Sequence, residues 1–440
     1  MTVADTIVAV ATPPGVGGIG VVRLSGPQAQ TIAQHLTGRA VLRARHAHYG
    51  RFTDPVSGEA LDDGLILFFP APHSYTGEDV VELQGHGSPV LLEAIVAAAV
   101  DQGARRARPG EFTEQAFLNG RLDLAQAEAV ADLIHAQTAQ AARLARSSLD
   151  GALAAELEPV SRAIRDMRVI IEAEIDFGET DLESEAAPDI ARRAETLHAT
   201  ISELLERLRP ARYFAQGLRL ALVGAPNVGK SSLMNRLAES EVAIVTDRPG
   251  TTRDVLRSPI AIHGIPVELI DTAGLHASDD PVERIGMQRA REAATGADLI
   301  LELRDLTRPE AVPDLEAPPG IPRLAVWNKQ DCVADGARSS EGQGIAISAR
   351  TGAGIDALKQ AIVEHIGAAD GGQQRFSVRA RHLDGLRLAA LHLGRIEASA
   401  APDLIAEELR LAARALDELL GRQDHEALLG EIFAGFCIGK

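Results

Sequence analysis

The sequence predicts a multidomain chain with an α+β N-terminal part, an α-helical bundle, and an α/β unit inserted into that bundle. Three observations carry this. The first stretch mixes short β-like runs with Gly/Pro turns. A second stretch of Ala, Leu, Arg and Glu then sets apolar residues at helical spacing. That texture stops, gives way to alternating strands and helices, and resumes after GGQQR at 371–375. A bundle interrupted in this way is simplest as an insertion, because domain termini commonly lie close together at a surface. The expected boundaries are 1–118, 119–212, 213–375 and 376–440.

Each element follows from local pattern. In the first part TIVAVAT, IGVVRLSG, DGLILFFPA and DVVELQGHG read as strands, and residues 88–101 as an apolar helix. From 122 to 212 the apolar spacing is helical, with breaks expected near Gly151, Pro159 and Pro188. The acidic run EAEIDFGETDLESEAAPD, 172–189, reads as a solvated loop. In the inserted unit LRLALVG, VELIDTAG, ADLILELRD, RLAVWNK and GIAISA read as strands and KSSLMNRLAES as a helix. RHLDGLRLAALHLGRI, PDLIAEELRLAARALDELLG and DHEALLGEIF return to the helical pattern.

Bulk composition narrows the function. The 440 residues are 45% hydrophobic and 24% charged, as in globular proteins, and the net charge is −18. A surface coated in basic residues for nucleic acid is excluded, so any RNA contact is a local patch or is supplied by a partner. Cys332 and Cys437, far apart, make neither a disulfide framework nor a zinc site, which points to a reducing compartment. The start MTVADTIVAVATPPG has no basic n-region, and no run of about 18 apolar residues occurs, so a cytoplasmic protein away from membranes is expected. Only four of the 44 basic residues are lysines: Lys230, Lys329, Lys359 and Lys440. A compact ammonium enters phosphate cradles that a planar guanidinium does not fit, so each surviving Lys marks a place to look.

Two of the four lie in nucleotide motifs. GAPNVGKS, Gly224 to Ser231, follows an apolar strand and precedes a helix, as a G-x-x-x-x-G-K-[ST] loop does. Its Asn227, Val228, Gly229, Lys230, Ser231 and Ser232 wrap the phosphates; backbone N–H groups face the β-phosphate, Lys230 reaches the β/γ oxygens and Ser231 binds Mg²⁺. DTAG (Asp271, Thr272, Ala273, Gly274) supplies an Asp for the magnesium shell and a Gly whose backbone can meet the γ-phosphate. NKQD places Asn328, Lys329 and Asp331 at a strand end, where Asp331 can accept from the N1 and 2-amino groups of guanine. SAR (Ser348, Ala349, Arg350) is a backbone contact to the base oxygen. Thr246, Asp247, Arg248, Pro249, Gly250, Thr251 and Thr252 form the loop between the first two motifs, with Thr252 a Mg²⁺ ligand. Four motifs in this order define a GTPase. Leu275 follows DTAG where Ras-type GTPases carry a water-orienting Gln, so catalysis must be supplied elsewhere.

With DTIVAVATPPGVGGIGVVRLSG, SYTGEDVVELQGHG, RPGEFTEQAFLNGRLDLAQAEAVADLI, VERIG and the terminal FCIGK added to these motifs, nearly the whole chain resembles the MnmE (TrmE) family of tRNA modification GTPases. The resemblance implies a homodimer joined through the N-terminal domain, a Ras-like G domain inserted in a helical domain, and a flavoprotein partner, MnmG (GidA), in a heterotetramer-type complex. It implies modification of C5 of wobble uridine 34 in tRNA by an aminomethyl or carboxymethylaminomethyl group, with a tetrahydrofolate derivative (5-formyl- or 5,10-methylene-) as one-carbon donor. K⁺ would be held by Asn227 and by oxygens at Thr246, Arg248 and Thr251, in place of an arginine finger, and Glu283 of VERIG would orient the attacking water. Arg248 and Arg121 depart from the family's usual apolar residue and lysine. Arg23, Glu82, Arg121 and Lys440 would bind folate. Cys437 is a candidate for chemistry during modification, or a small buried packing residue. A regulatory RNA-binding GTPase would have no use for the Arg23/Glu82/Arg121 set or for FCIGK.

Overall fold

The structure is a computed structural model that describes residues 5–177, 187–225, 227–240, 260–271, 296–308, 321–333, 344–368, 375–422 and 426–439. The chain separates into two compact units, Met1–Ala131 with Asp417–Lys440, and Asp132–Leu416.

The first unit is built on one sheet. Strands β1 (Ile7–Val10), β2 (Gly17–Ser25), β3 (His48–Thr53), β4 (Ala60–Phe69), β5 (Val80–Gly87) and β6 (Arg105–Arg106) lie in the order β3-β4-β5-β2-β1-β6. All pairings are antiparallel except that of β1 with β6. Side chains alternate across a strand, so the register fixes two faces. Val8, Leu24 and Val81 are paired in register, as are Val22 and Leu83; all five are buried, with α1 (Ala29–Thr37) and α2 (Pro89–Asp101) supplying Ile32, Leu36, Ile95 and Ala99 to the same core. The opposite face carries Ile7 and Ala9, which cluster with Phe112 of α3 (Glu111–Leu118). Arg23 is paired with both Ala9 and Glu82, so this second face also carries those two charges.

The chain passes between the units within α4 (Leu124–His135) and returns near the end of a later helix, Pro402–Leu420. In the second unit α5 (Ala139–Leu149), α6 (Ala152–Phe177) and α7 (Ala187–Leu208) precede α8 (Arg212–Gln216) and the second sheet. That sheet contains β7 (Leu218–Gly224), β8 (Ile260–Ile262), β9 (Ile265–Asp271), β10 (Leu299–Asp305), β11 (Arg323–Asn328) and β12 (Ile345–Ala346), in the order β12-β11-β10-β7-β9-β8. It is parallel throughout except for β8 against β9. Near-continuous apolar runs suit a parallel sheet covered on both faces, and Leu220, Leu222, Leu299, Leu301 and Leu303 are all fully buried. Each such side chain contributes about 1.5 to 3 kcal/mol by leaving water. Helices α9 (Lys230–Ser240) and α10 (Ile355–His365) flank this sheet, and α11 (Ala380–Leu393) resumes the bundle.

Three expectations need correction. Pro159 does not break the bundle: α6 runs through it for 26 residues. Proline removes one backbone hydrogen bond, but Leu153, Leu157, Val160, Ile164, Met167 and Ile171 are buried on both sides of it and hold the helix in register. The acidic run 172–189 is helical at both ends, where α6 and α7 reach into it, and residues 178–186 lie outside the described residues. The first unit has α1, α3 and β3 besides the one helix and four strands expected, although Ala29, Ile32, Ala33 and Leu36 of α1 recur at helical spacing and are all buried. Among the described residues no helix is long and apolar enough to cross a membrane.

Candidate functional sites

The P-loop begins where β7 ends, at the centre of the second sheet, between β10 and β9. Strand ends next to such a crossover are where parallel sheets open a crevice for ligands. Two residues in the loop take left-handed backbone conformations, Asn227 at φ 60° and Gly229 at φ 103°. At Gly229 the requirement is double, because a Cβ there would also lie 2.3 Å from Asn328 Nδ2. Lys230 opens α9, and its ammonium donates to the carbonyls of Gly224 (2.8 Å) and Ala225 (3.1 Å) at the inner rim of the loop. Ser231 and Ser232 follow, exposed in the first helical turn, while Val228 is buried beneath. A helix N-terminus, a lysine and a hydroxyl are thus gathered at one point, which is an anion and cation site suited to a magnesium-bound phosphate chain.

Asn328, buried at the end of β11, ties this loop to the Ser348–Arg350 segment. Its Nδ2 donates to Val228 O at 2.7 Å, and its Oδ1 accepts from the Ala349 amide at 2.9 Å. Lys329, at φ 68°, turns the chain and pairs with Asp305 at 2.6 Å. Asp331 then meets the other segment: Ser348 Oγ donates to its Oδ1 at 2.6 Å and Arg350 Nη2 pairs with its Oδ2 at 2.7 Å. The Ser348 hydroxyl holds the Asp331 carboxyl below the ordinary carboxylate range, with the Arg350 charge adding to the effect. Asp331 therefore stays ionised as an acceptor. A small cleft lined by Gln330, Asp331, Ala346, Thr351, Ala353 and Gly354 lies beside it. Arg236 of α9 donates to the carbonyls of Ala349 and Arg350, so the helix that follows the P-loop also braces the Ser348–Arg350 segment.

The second face of the first sheet holds the other set. Arg23 donates to Glu82 Oε1 through Nε (3.1 Å) and Nη2 (2.9 Å), and both side chains are largely buried, at 14% and 18% exposure. Its guanidinium lies 5.7 Å from the ring centres of Tyr75 and of Phe112. Glu82 Oε2 accepts one longer bond, from Gln84 Nε2 at 3.3 Å. The C-terminal tail arrives at this pair: Arg23 Nη1 donates to the Gly439 carbonyl at 3.2 Å. Gly439 sits at φ 93°, and a Cβ on it would come within 2.3 Å of Val10 O, so the approach needs glycine. Phe436 and Phe433 anchor the tail, both buried with ring centres 5.4 Å apart.

Gly439 carries no distinguishing signal in the sequence, where FCIGK draws attention through its Cys and Lys. Cys437 is exposed, so its reading as a buried packing residue is wrong; it is the phenylalanines that fill space. The Cys437 carbonyl accepts from the Gly110 amide at 3.4 Å. Arg121 does not join the Arg23–Glu82 pair. Its stem lies 3.2 Å from the position of a Cβ on Gly77, in the loop that carries Tyr75, and it lines a separate cleft with Phe117, Gln126, Leu420 and Arg422. Thr246, Asp247, Arg248, Pro249, Gly250, Thr251, Thr252, Thr272, Ala273, Gly274, Glu283 and Lys440 lie outside the described residues, and Asp271 is described only as the last residue of β9.

A mostly parallel sheet with a P-loop at its central strand and an Asn-Lys-x-Asp turn two strands away defines the class of P-loop GTP-binding proteins. Within that class the comparisons with known proteins are specific. The MnmE helical domain model matches residues 124–437, and the GTP-binding protein TrmE N-terminus model matches residues 6–121. Proteins named tRNA modification GTPase MnmE from Methylibium petroleiphilum and Chromobacterium violaceum are each 46% identical, over 99% of this chain and 98% of theirs. The Stutzerimonas stutzeri protein of that name is 45% identical over 99% of both. The chain belongs to the MnmE family. Among solved structures, the FeoB G domain from Methanococcus jannaschii is 23% identical, covering 34% of this chain and 98% of that one, with a TM-score of 0.28.

Proposed function

We propose that this protein hydrolyses GTP in the service of tRNA modification, and that its first unit holds the one-carbon donor for that modification. The observation that carries the second part is the delivery of the C-terminal tail to the Arg23–Glu82 pair. A carboxylate with lone pairs to spare, beside a guanidinium flanked by two aromatic rings, fits the amino-pyrimidinone edge of a pterin. Arg23, Glu82 and Lys440 would hold a tetrahydrofolate derivative, with Arg121 meeting its more distant polar part; when bound, the folate supplies a one-carbon unit for C5 of wobble uridine 34. A flavoprotein partner of the MnmG type and a homodimer complete this reading, as does the four-part division of the chain at 118, 212 and 375. The membership of the MnmE family supports it.

In the second unit Lys230 and the loop amides would hold the phosphates, Ser231 and Thr252 would hold Mg²⁺, and Asp331 with the Ser348–Arg350 segment would read guanine. Asp271 and Gly274 would serve the magnesium shell and the γ-phosphate. Asn227 is exposed and in a left-handed backbone conformation; its side chain, with oxygens of Thr246, Arg248 and Thr251, would hold K⁺. A cation fixed there would stabilise charge developing between the β- and γ-phosphates, and Glu283 would orient the water.

Mass spectrometry of tRNA nucleosides tests the whole reading. A deletion strain should lack the C5-substituted wobble uridine, and the wild-type gene should restore it; a normal nucleoside profile in the deletion strain would end this reading. The catalytic part is tested separately. Hydrolysis should be far faster in K⁺ than in Na⁺, and Asn227→Ala should lower turnover more than GTP affinity. Glu283→Ala should bind GTP normally and hydrolyse it slowly. Equal rates in the two salts would remove the cation from the mechanism.

A further inference from the structure

From Thr6 to Thr53 the chain has not one Asp or Glu, although 62 of its 440 residues are acidic and its net charge is −18. The end of that stretch carries Arg39, Arg43, Arg45, His46, His48 and Arg51. In the structure these gather on and beside β3, the outermost strand of the first sheet. Arg39 donates to the Tyr49 carbonyl, and the Arg43 amide donates to His48 Nε2 at 2.9 Å. The rings of His46 and His48 stand edge to face, 4.7 Å apart. Arg45 donates to the His73 carbonyl and lies over the Phe69 ring. Arg43, Arg45 and His46 are exposed, and Tyr49 is 67% exposed.

The charges here are not balanced from within. Arg39, Arg43 and Arg45 make no ion pair among the described residues, whereas Arg51 pairs with Asp63, and Arg105, Arg106 and Arg108 of the same unit are each matched by a glutamate. The crowding registers at His48, whose pKa is lowered first by desolvation and then by the charges of His46, Arg39 and Arg43. An acidic chain that concentrates unmatched guanidiniums on one sheet edge has built a local attractor for a polyanion. The interleaved rings favour RNA over an anionic bilayer, because exposed imidazole and phenol rings stack on unpaired bases, and an edge strand offers no amphipathic helix to lie in a lipid interface.

We propose that this edge, formed by Arg39, Arg43, Arg45, His46, His48 and Tyr49, binds the phosphates and unstacked bases of RNA, and is where this acidic protein takes hold of tRNA. The inference rests on the reading that tRNA is its substrate. Guanidiniums grip the phosphates, which sets affinity and salt dependence, and the rings take up splayed bases.

The test uses the full-length protein and a fluorescent tRNA transcript, with affinity measured between about 50 and 200 mM salt. The Arg39→Gln/Arg43→Gln/Arg45→Gln variant should bind at least about tenfold more weakly and show a salt slope shallower by roughly two to three. GTP hydrolysis without RNA should be unchanged, and the corresponding triple Lys variant should retain most of the affinity. Arg43→Gln alone, at a side chain with no ion pair, should cost about threefold and guards against misfolding of the triple variant. Unchanged tRNA affinity in Arg43→Gln and in the triple variant overturns the proposal while leaving the tRNA function standing. Failure of the wild-type protein to bind tRNA, together with a normal nucleoside profile in the deletion strain, overturns both. Loss of binding to phosphatidylserine vesicles with tRNA affinity intact would assign the edge to lipid and also overturn the proposal.

Discussion

At the scale of single residues, the proposed base-reading end of the nucleotide site turns on Asp331. Its two oxygens are engaged by Ser348 and Arg350, which fixes the carboxylate plane against the cleft beside it. An acceptor-only group there matches the two donors of guanine, N1–H and the 2-amino group. Asp331→Asn should therefore lose about 1.5 to 3 kcal/mol of GTP affinity, the value of a hydrogen bond to a charged group, and gain affinity for xanthosine triphosphate, which carries a carbonyl at position 2. Competition binding with the two nucleotides checks this; unchanged preference for GTP would place base recognition elsewhere. The pH behaviour follows from the same contacts. Because the Ser348 hydroxyl depresses the Asp331 pKa, the ionised form and the binding it supports are present above that value and are lost only as pH falls through it. Ser348→Ala should raise the pKa and move the acid limb of GTP affinity to higher pH, with no change at neutral pH beyond the loss of one bond.

At the scale of elements, the bundle is joined across the inserted sheet by a compact polar seam. Ser148 at the end of α5 and Ser377, before α11, are both buried, and their hydroxyls meet at 3.0 Å while the Ser377 amide donates to Ser148 Oγ at 2.9 Å. Arg379 reaches Asp132 through Nε at 3.2 Å and Nη2 at 2.5 Å, with the two side chains 25% and 10% exposed. Asp132→Ala should destabilise this unit by about 1 to 3 kcal/mol, below the cost of breaking a fully buried pair because Arg379 keeps some solvent. A lower melting temperature of the helical signal, with Asp132→Asn intermediate, is the expected result; an unchanged melt would show that the seam is held by the serines alone. None of this seam was legible in the sequence, since it joins residues more than two hundred positions apart and uses ordinary Ser, Arg and Asp. The P-loop, β7, β10 and β11 were legible because each is specified within a dozen consecutive residues by apolar runs and turn chemistry. Pro159 misled for the converse reason: local propensity was outweighed by tertiary burial on either side of it. The terminal site was half legible. Family resemblance picks out Arg23 and Glu82, but their direct pairing and the need for Gly439 follow from β2–β5 register and from a close approach made only in the folded chain.

At the scale of the whole molecule, the residues of the two proposed chemistries belong to different compact units. P-loop, Asn328, Asp331 and Ser348 all belong to Asp132–Leu416, whereas Arg23, Glu82 and the tail belong to Met1–Ala131 with Asp417–Lys440. Within its own unit the tail is held by Phe433 and Phe436 against Gly110, by the Gly110 amide donating to the Cys437 carbonyl, and by Gly439 against Val10 and Arg23. Removing residues 436–440 should therefore leave GTP hydrolysis largely intact while abolishing wobble uridine modification. A fall in hydrolysis equal to the fall in modification would show that the tail acts through the nucleotide site and would defeat this separation. Three point variants divide the tail's work. Gly439→Ala forces a side chain toward the Val10 carbonyl from a left-handed backbone, so it should displace the tail and weaken folate binding although no charge is lost. Lys440→Ala should weaken folate binding by about 1.5 to 3 kcal/mol, one charge-assisted contact, with the tail still in place. Cys437→Ser changes an exposed thiol and no packing, so normal folate binding with lost modification would assign chemistry to the sulfur. Full modification in Cys437→Ser would leave Gly439 and Lys440 as the reason for the FCIGK motif.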